Sequence, residues 1–421
     1  MKEVKLKEVL EVKRGTSLSG KYYSETGDKV RLTLGNFDYP GGGFKRNTSK
    51  TDIYFTGKVN SQFILKKGDI ITPLTEQVSG LLGETATIPE DNKYIQSGDI
   101  GLVIPNPEKL DSRFAYYLIS SSVIKKQLDV SSQQTKIRHT SPDKIMDCVA
   151  WIPELPVQRK IAKLLDSINA KIKNNININN DLEELLKTLY QRWFIEFEFP
   201  NEDDKSYKSN GGRFIYSKDL KQNIPINWKI KKLTDISDFI SGFAFSSNNY
   251  TKNGQYKLYT IKNVQDGNIV SIVDNTLNKL PINMPHECLL KPKDLIMSLT
   301  GNIGRVGLVY ENNALLNQRV LKIEPKKNLC YLYSIYRNEF MKSRCKKISS
   351  GTSQKNLSPI ELGKQKIAYS GIVAEKFEEQ NKYLIDIYVN NLIENQKLTE
   401  LKEFLFPMLI NGQINVDGIE I

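Results

Sequence analysis

Two long stretches of the chain repeat apolar residues at steps of three and four. In the first, Ile161, Leu164, Leu165, Ile168, Ile172, Ile176, Leu182, Leu185, Leu186 and Leu189 form one stripe. In the second, Phe377, Leu384, Ile387, Tyr388, Leu392, Leu398, Leu401 and Leu405 do the same. Such spacing collects apolar side chains on one helical face. It predicts two amphipathic helices of roughly 30–40 residues, about 45–60 Å long at 1.5 Å per residue. Pro156 suits a first helical turn, and Pro407 falls near the end of the second stripe. A helix of that length needs cover for its apolar face, so the two stripes predict a pair. Its seam is expected to hold Ile161, Leu165, Ile168, Ile172, Leu182, Leu185 and Leu189 against Leu384, Tyr388, Leu392, Leu398, Leu401 and Leu405. Asn175, Asn179, Asn391 and Asn395 interrupt the stripes, as residues that set register do.

The remainder has a different pattern, and it occurs twice. Gly15, Ser19, Tyr23, Gly27 and Asn36 match Gly242, Ser246, Tyr250, Gly254 and Asn263 at one offset. Leu65-Lys66 with Asp69-Ile70-Ile71 matches Leu290-Lys291 with Asp294-Leu295-Ile296, and Gly80 and Gly83 match Gly301 and Gly304. Arg113–Pro142 then aligns without a gap to Cys330–Pro359, pairing Tyr116 with Tyr333, Lys125 with Lys342, and Ser141-Pro142 with Ser358-Pro359. Repeats this long make a tandem of like domains rather than a solenoid. Within each copy, short β-branched runs such as Asp69–Thr72, Gly101–Ile104 and Val320–Ile323 are bounded by Gly, Pro and Asn and predict strands. Arg113–Leu128 and Tyr331–Lys347 predict helices. The expected fold is mixed α/β: two similar globular domains separated by two long helices pairing as an antiparallel coiled coil. The boundaries are 1–154 for the first domain, 155–198 for the central helix, 199–223 for a polar linker, 224–371 for the second domain, 372–412 for the C-terminal helix and 413–421 for a tail.

Charge adds a direction. The chain has 421 residues, 39% of them apolar and 26% charged, with a formal net charge of +12. Residues 222–371 alone hold 22 basic and 10 acidic side chains, whereas 1–154 hold 22 and 19. A basic globular stretch of this kind suits a polyanion such as DNA or RNA. No apolar run is long enough to cross a bilayer, and the charged start lacks the apolar stretch of a secretory signal. The four cysteines do not make a disulfide framework. The expected location is the cytoplasm.

Catalytic patterns are missing. There is no GxxxxGK[ST] loop, no GxGxxG, no Asn/Asp-Pro-Pro-aromatic motif and no CxxC spacing. His286-Glu287-Cys288 is an isolated coincidence, and Asp386 with Glu400-Leu401-Lys402 falls on an amphipathic helix where a solvated face explains it. Binding-type residues do cluster, at matching places in both copies. Copy one offers Gln133, Gln134, Thr135, Lys136, Arg138 and His139, with Gln77 elsewhere. Copy two offers Thr352, Ser353, Gln354, Lys355 and Asn356, together with Asn302, Arg305, Gln318 and Arg319. Amide, hydroxyl and cationic groups of this kind reach phosphates and base edges, although plain polar loops before Ser-Pro use the same residues.

At this point a family resemblance emerges. Leu155-Pro156-Val157-Gln158-Arg159-Lys160-Ile161-Ala162 resembles the Pro-x-x-Gln-x-x-Ile-Ala helix start of the specificity subunits of Type I restriction–modification systems, with Val157 in place of the usual Glu. Trp193–Pro200 is similar to their Trp-Phe-x-x-Phe-x-Phe-Pro signature, and Ile224–Leu233 and Gly242–Ser247 resemble the start of their second recognition domain. Phe404–Ile414 is similar to their closing motif, while the second helix opens with Glu379-Gln380 and lacks the family's preceding Pro. The resemblance implies a non-catalytic DNA reader. Each copy would be a target recognition domain for one half of a bipartite, asymmetric site in double-stranded DNA, and the helix pair would be a ruler and a platform for two methyltransferase subunits. Those partners would use S-adenosylmethionine, and a motor-nuclease restriction subunit would use ATP and Mg; this chain would bind no metal or cofactor. Two other readings stay open: a specificity module of another, Type IIB-like methylase or defence complex, and a coiled-coil adaptor.

Overall fold

The computed structural model describes residues 3–39, 42–76, 80–131, 138–267, 273–351 and 355–416. It divides into two compact units, one formed by Met1–Lys171 with Leu398–Ile421 and the other by Ile172–Lys397.

In the first unit, a four-stranded antiparallel sheet among the described residues runs in the order Leu10–Arg14, Ile100–Pro105, Ile70–Pro73 and Ala86–Thr87. Its helices are α1 (Ser112–Ile119), α2 (Ser122–Ser131), the short α3 (Pro142–Met146) and the start of the long α4 (Leu155–Tyr190). The second unit repeats the design. Its matching sheet runs Ser237–Ser241, Val320–Pro325, Leu295–Ser298 and Val306–Leu308, again antiparallel. Its helices are α5 (Leu329–Arg337), α6 (Glu339–Ile348), the short α7 (Pro359–Gly363) and most of the long α8 (Gly371–Ile410).

The repeated residues hold equivalent places for identifiable reasons. A Cβ on Gly15 would collide with the carbonyl of Ser97, and one on Gly242 with that of Asn317, so close backbone approach demands glycine at both. The Tyr23 hydroxyl donates to the Leu18 carbonyl (3.1 Å), and Tyr250 donates to Phe245 (3.2 Å). Asn36 Oδ1 accepts from the Thr33 N–H, and Asn263 Oδ1 from Thr260, both at 2.9 Å. Ser141 and Ser358 cap α3 and α7, with Pro at the first turn of each.

The single helices expected over Arg113–Leu128 and Tyr331–Lys347 are each broken in two. Ser121 Oγ accepts from the Ile124 N–H at 3.4 Å and starts α2 afresh, and Asn338 Oδ1 accepts from Phe340 at 2.9 Å to start α6. Apolar spacing continues across both breaks, but a short polar side chain competes for the backbone donors and resets the helix. The stretch expected as a polar linker is also ordered. Tyr207 stacks on Phe199 (4.7 Å between centroids), and Phe214–Ser217 pairs with Gln222–Pro225 as a hairpin. The central helix gives way at Tyr190 to a π-helical turn, Gln191–Ile195, which buries both Trp193 and Phe194.

Within the second unit, α4 and α8 pair antiparallel. Asn175 Nδ2 donates to Glu394 (2.7 Å) and Asn395 (2.9 Å), Asn179 Nδ2 to the Tyr388 carbonyl (3.1 Å), and Asn391 Nδ2 to Asn179 Oδ1 (2.8 Å). Leu182, Leu384 and Tyr388 are buried in that core, with Leu189 and Leu392 packed against it. In the first unit, Ile161, Leu165 and Ile168 are buried, and Leu405 packs on the same core as Ile161 and Leu165. Ile172 and Leu398 are half-buried. Leu185 and Leu401, expected inside the seam, are 43% and 45% exposed. At 100° per residue Leu185 lies about 60° outside the arc begun by Leu182, so a stripe read by spacing alone is wider than the face that is covered.

Each unit also clamps its α-helical hairpin to α4 through a carboxylate. Asp166 accepts from the Tyr117 hydroxyl (2.7 Å) and pairs with Arg113; Glu183 accepts from Tyr333 (2.6 Å) and pairs with Arg337 (2.7 Å). The buried Gln158 of the Pro-x-x-Gln motif accepts from the Asp111 N–H (2.7 Å) and donates to the carbonyls of Lys109 (2.9 Å) and Pro153 (2.8 Å).

Candidate nucleic-acid interface

In the second unit, the structure brings two separately predicted groups together. The loop Thr300–Arg305 turns on Gly301 (φ +68°) and Gly304 (φ +77°), and Thr300 bridges to Asn356. Leu357 donates its N–H to the Leu299 carbonyl (2.9 Å), which closes the distance between the loops. Asn302, Arg305 and Lys355 thereby line one cleft of about 550 Å³ with Asp266, Lys342, Lys346 and Ser349. Arg305 Nη1 donates to Gln265 Oε1 at 2.8 Å, which holds the guanidinium in place without neutralising it. Burial opposes the charge of Asp266, but Lys342 (2.7 Å) and the Arg337 guanidinium more than offset that and hold its carboxyl below the usual range. Among the described residues, Arg305, Lys346 and Lys355 make no ion pair. Lys346 was not singled out from the sequence; the basic run Lys342–Lys347 ending α6 was the available signal. Gln318 and Arg319 stand exposed on the turn before Val320–Pro325, away from this cleft, and Arg319 accepts the Leu299 N–H at 2.9 Å.

The first unit treats its cations differently. Arg138, expected to reach phosphate or guanine, is held between Glu76 (3.1 Å) and Asp129 (3.0 Å). Glu76 is buried, and its other oxygen accepts the N–H groups of Gly80 (3.1 Å) and Leu82 (3.0 Å), so this pair fastens a strand to a turn. His139 is exposed beside it. Gln77, Gln133, Gln134, Thr135, Lys136, Thr352, Ser353 and Gln354 lie outside the described residues. Arg138→Ala is expected to lower stability by about 2 kcal/mol, because it leaves the buried Glu76 carboxylate without its counter-ion. Thermal unfolding checks this; an unchanged midpoint would return Arg138 to the surface role first expected of it.

All four cysteines are buried and unbonded. Burial pushes the thiols of Cys148 and Cys345 up to about 11, which keeps them from acting as thiolates near neutrality. Asp386 pairs with Lys293 at 2.7 Å on the surface. Among the described residues no His, Cys, Asp and Glu group could hold a metal ion, and no helix is long and apolar enough to cross a membrane.

Comparison with known proteins agrees with the repeat. The family model described as the Type I restriction modification DNA specificity domain matches residues 1–184 and 225–403. The HindI specificity subunit of Haemophilus influenzae is 20% identical over 404 residues, covering 83% of this chain and 87% of that one. The MjaIX specificity subunit of Methanocaldococcus jannaschii is 24% identical over 314 residues, covering 73% and 70%. The crystal structure of an S subunit from M. genitalium superposes with a TM-score of 0.56 at 15% identity, covering 97% of this chain and 96% of that one, and so shares the fold. With its sheets, caps and glycine turns present twice, the chain belongs to the family of the Type I restriction modification DNA specificity domain.

Proposed function

We propose that this chain is the DNA reader of a Type I complex, each globular unit reading one half of a bipartite, asymmetric site. The observation that carries the reading is the second unit's cleft, where the Asn302 amide lies among Arg305, Lys346 and Lys355, cations without a carboxylate partner among the described residues. A planar amide such as that of Asn302 suits a base edge, at about 1–3 kcal/mol for a good bidentate contact, while the cations beside it suit phosphates. The two units carry unlike residues at matching positions, such as Gln134 against Gly351 and Lys136 against Ser353, so they would select unlike half-sites.

The chain would contribute no chemistry of its own. Methyl transfer from S-adenosylmethionine would belong to two modification subunits, and ATP- and Mg-dependent cleavage to restriction subunits. Exposed apolar residues on the long helices give the modification subunits a surface: Ile176, Tyr383 and Ile387 in the second unit, Leu401 and Phe404 in the first. A chain working on DNA with such partners would be cytoplasmic.

Replacing residues 1–154 by the corresponding domain of a relative is the test. Mapping methylated adenine across the genome is expected to show one half of the site changed and the other kept. A continuous palindrome, or a change in both halves, would overturn the two-reader model; no dependence of methylation on this chain would favour the adaptor reading.

A further inference from the structure

The glycine turns of the two units rest on the same helical positions, which permits a residue-by-residue comparison of charge. Gly83 (φ +82°) faces Lys125 and Leu128 of α2, and Gly304 (φ +77°) faces Lys342 and Cys345 of α6. These helical residues are partners in the ungapped alignment of the two copies. Immediately after the turn stands Glu84 in the first unit and Arg305 in the second. One residue beyond Leu128 and Cys345 stand Asp129 and Lys346, and further along Arg138 and Lys355. Two positions therefore exchange a carboxylate for a cation, while the third stays basic.

The consequence is visible in the ion pairs. In the first unit, Glu84 takes Lys125 (2.5 Å), and Asp129 and Glu76 take Arg138. In the second, Lys342 is satisfied by Asp266 (2.7 Å) and Glu339 (2.8 Å), which leaves Arg305, Lys346 and Lys355 around one cleft without a carboxylate partner among the described residues. We propose that this cleft is the chain's anchor for the phosphodiester backbone of DNA, and that Glu76, Glu84 and Asp129 deny the first unit an equivalent anchor. Resting on the function proposed above, this makes the two half-sites energetically unlike: the second unit contributes more of the salt-dependent binding than the first. Cations without internal partners displace condensed counterions on binding, and each phosphate they neutralise steepens the salt dependence by about 0.9 in log–log slope.

The test is the salt dependence of binding by the assembled complex to a duplex carrying its methylated site. Arg305→Gln, Lys346→Gln and Lys355→Gln together are expected to lower the slope by about 2–3 units, and each alone by about 0.9. The exposed pair Lys346→Gln and Lys355→Gln provides the same readout, at about 2 units, where the triple variant does not fold. Lys125→Gln, in the first unit, is expected to leave the slope within about 0.3 of the wild type, since its charge is already spent on Glu84. An unchanged slope in the cleft variants, or an equal fall in Lys125→Gln, would overturn the anchor while leaving sequence reading intact. A wild-type complex that binds no duplex would instead overturn the proposed function, and the anchor with it.

Discussion

Leu165→Asp is expected to destabilise the first unit by at least about 3–5 kcal/mol, enough to unfold a domain of ordinary stability. Leu165 is fully buried in one core with Phe114, Leu118, Ile161 and Leu409, so the start of α4, the end of α8 and helix α1 share a single apolar centre. A carboxylate there lies in an apolar core and must either stay charged in it or take up a proton. Leu185→Asp and Leu401→Asp, at residues 43% and 45% exposed, are expected to shift stability by no more than about 1 kcal/mol. Thermal or urea denaturation of the three variants checks the contrast. If Leu185→Asp proves as damaging as Leu165→Asp, the assignment of the covered face is wrong.

Phe194→Ala is the second large effect, with an expected cost of about 3–5 kcal/mol in the second unit. The ring lies 4.6 Å from Tyr331, 5.2 Å from Tyr190, 5.2 Å from Phe377 and 5.9 Å from Trp228, centroid to centroid. One side chain thus joins α4, α5, α8 and the segment after the hairpin that carries Trp228, and the void left by Ala touches all four. Phe194→Leu is expected to recover part of the loss by refilling volume without the edge contacts. Unfolding followed by tryptophan fluorescence in a Trp151→Phe background reads this core through Trp193 and Trp228; full stability in Phe194→Ala would mean that the cluster is not the second unit's centre.

Much of this architecture was legible along the chain, for physical reasons. Helical periodicity exposes α4 and α8 because a long amphipathic helix repeats its instruction many times. The duplication is legible because several of its markers are backbone constraints: Gly15 and Gly242 sit where no Cβ fits, and Ser141-Pro142 and Ser358-Pro359 start short helices by local chemistry alone. Such requirements depend on few neighbours and survive in a linear reading. The site was legible only in its parts. Gly301–Arg305 and Lys355 could be named separately, but nothing in their spacing says that one cleft holds both.

What the sequence by itself determined is therefore the repeat, the mixed α/β class, the two long helices and the basic excess of residues 222–371. The tertiary structure alone decided which side chains remain available. It spent Arg138 on Glu76 and Asp129, turned Leu185 and Leu401 outward, split the helical hairpins at Ser121 and Asn338, and folded the expected linker into a hairpin. It also set Lys346 beside Arg305 and Lys355, while placing Glu84 and Asp129 at the matching positions of the first unit against Lys125 and Arg138. Whether a charge is free or neutralised depends on partners dozens of residues away, and periodicity carries no record of them.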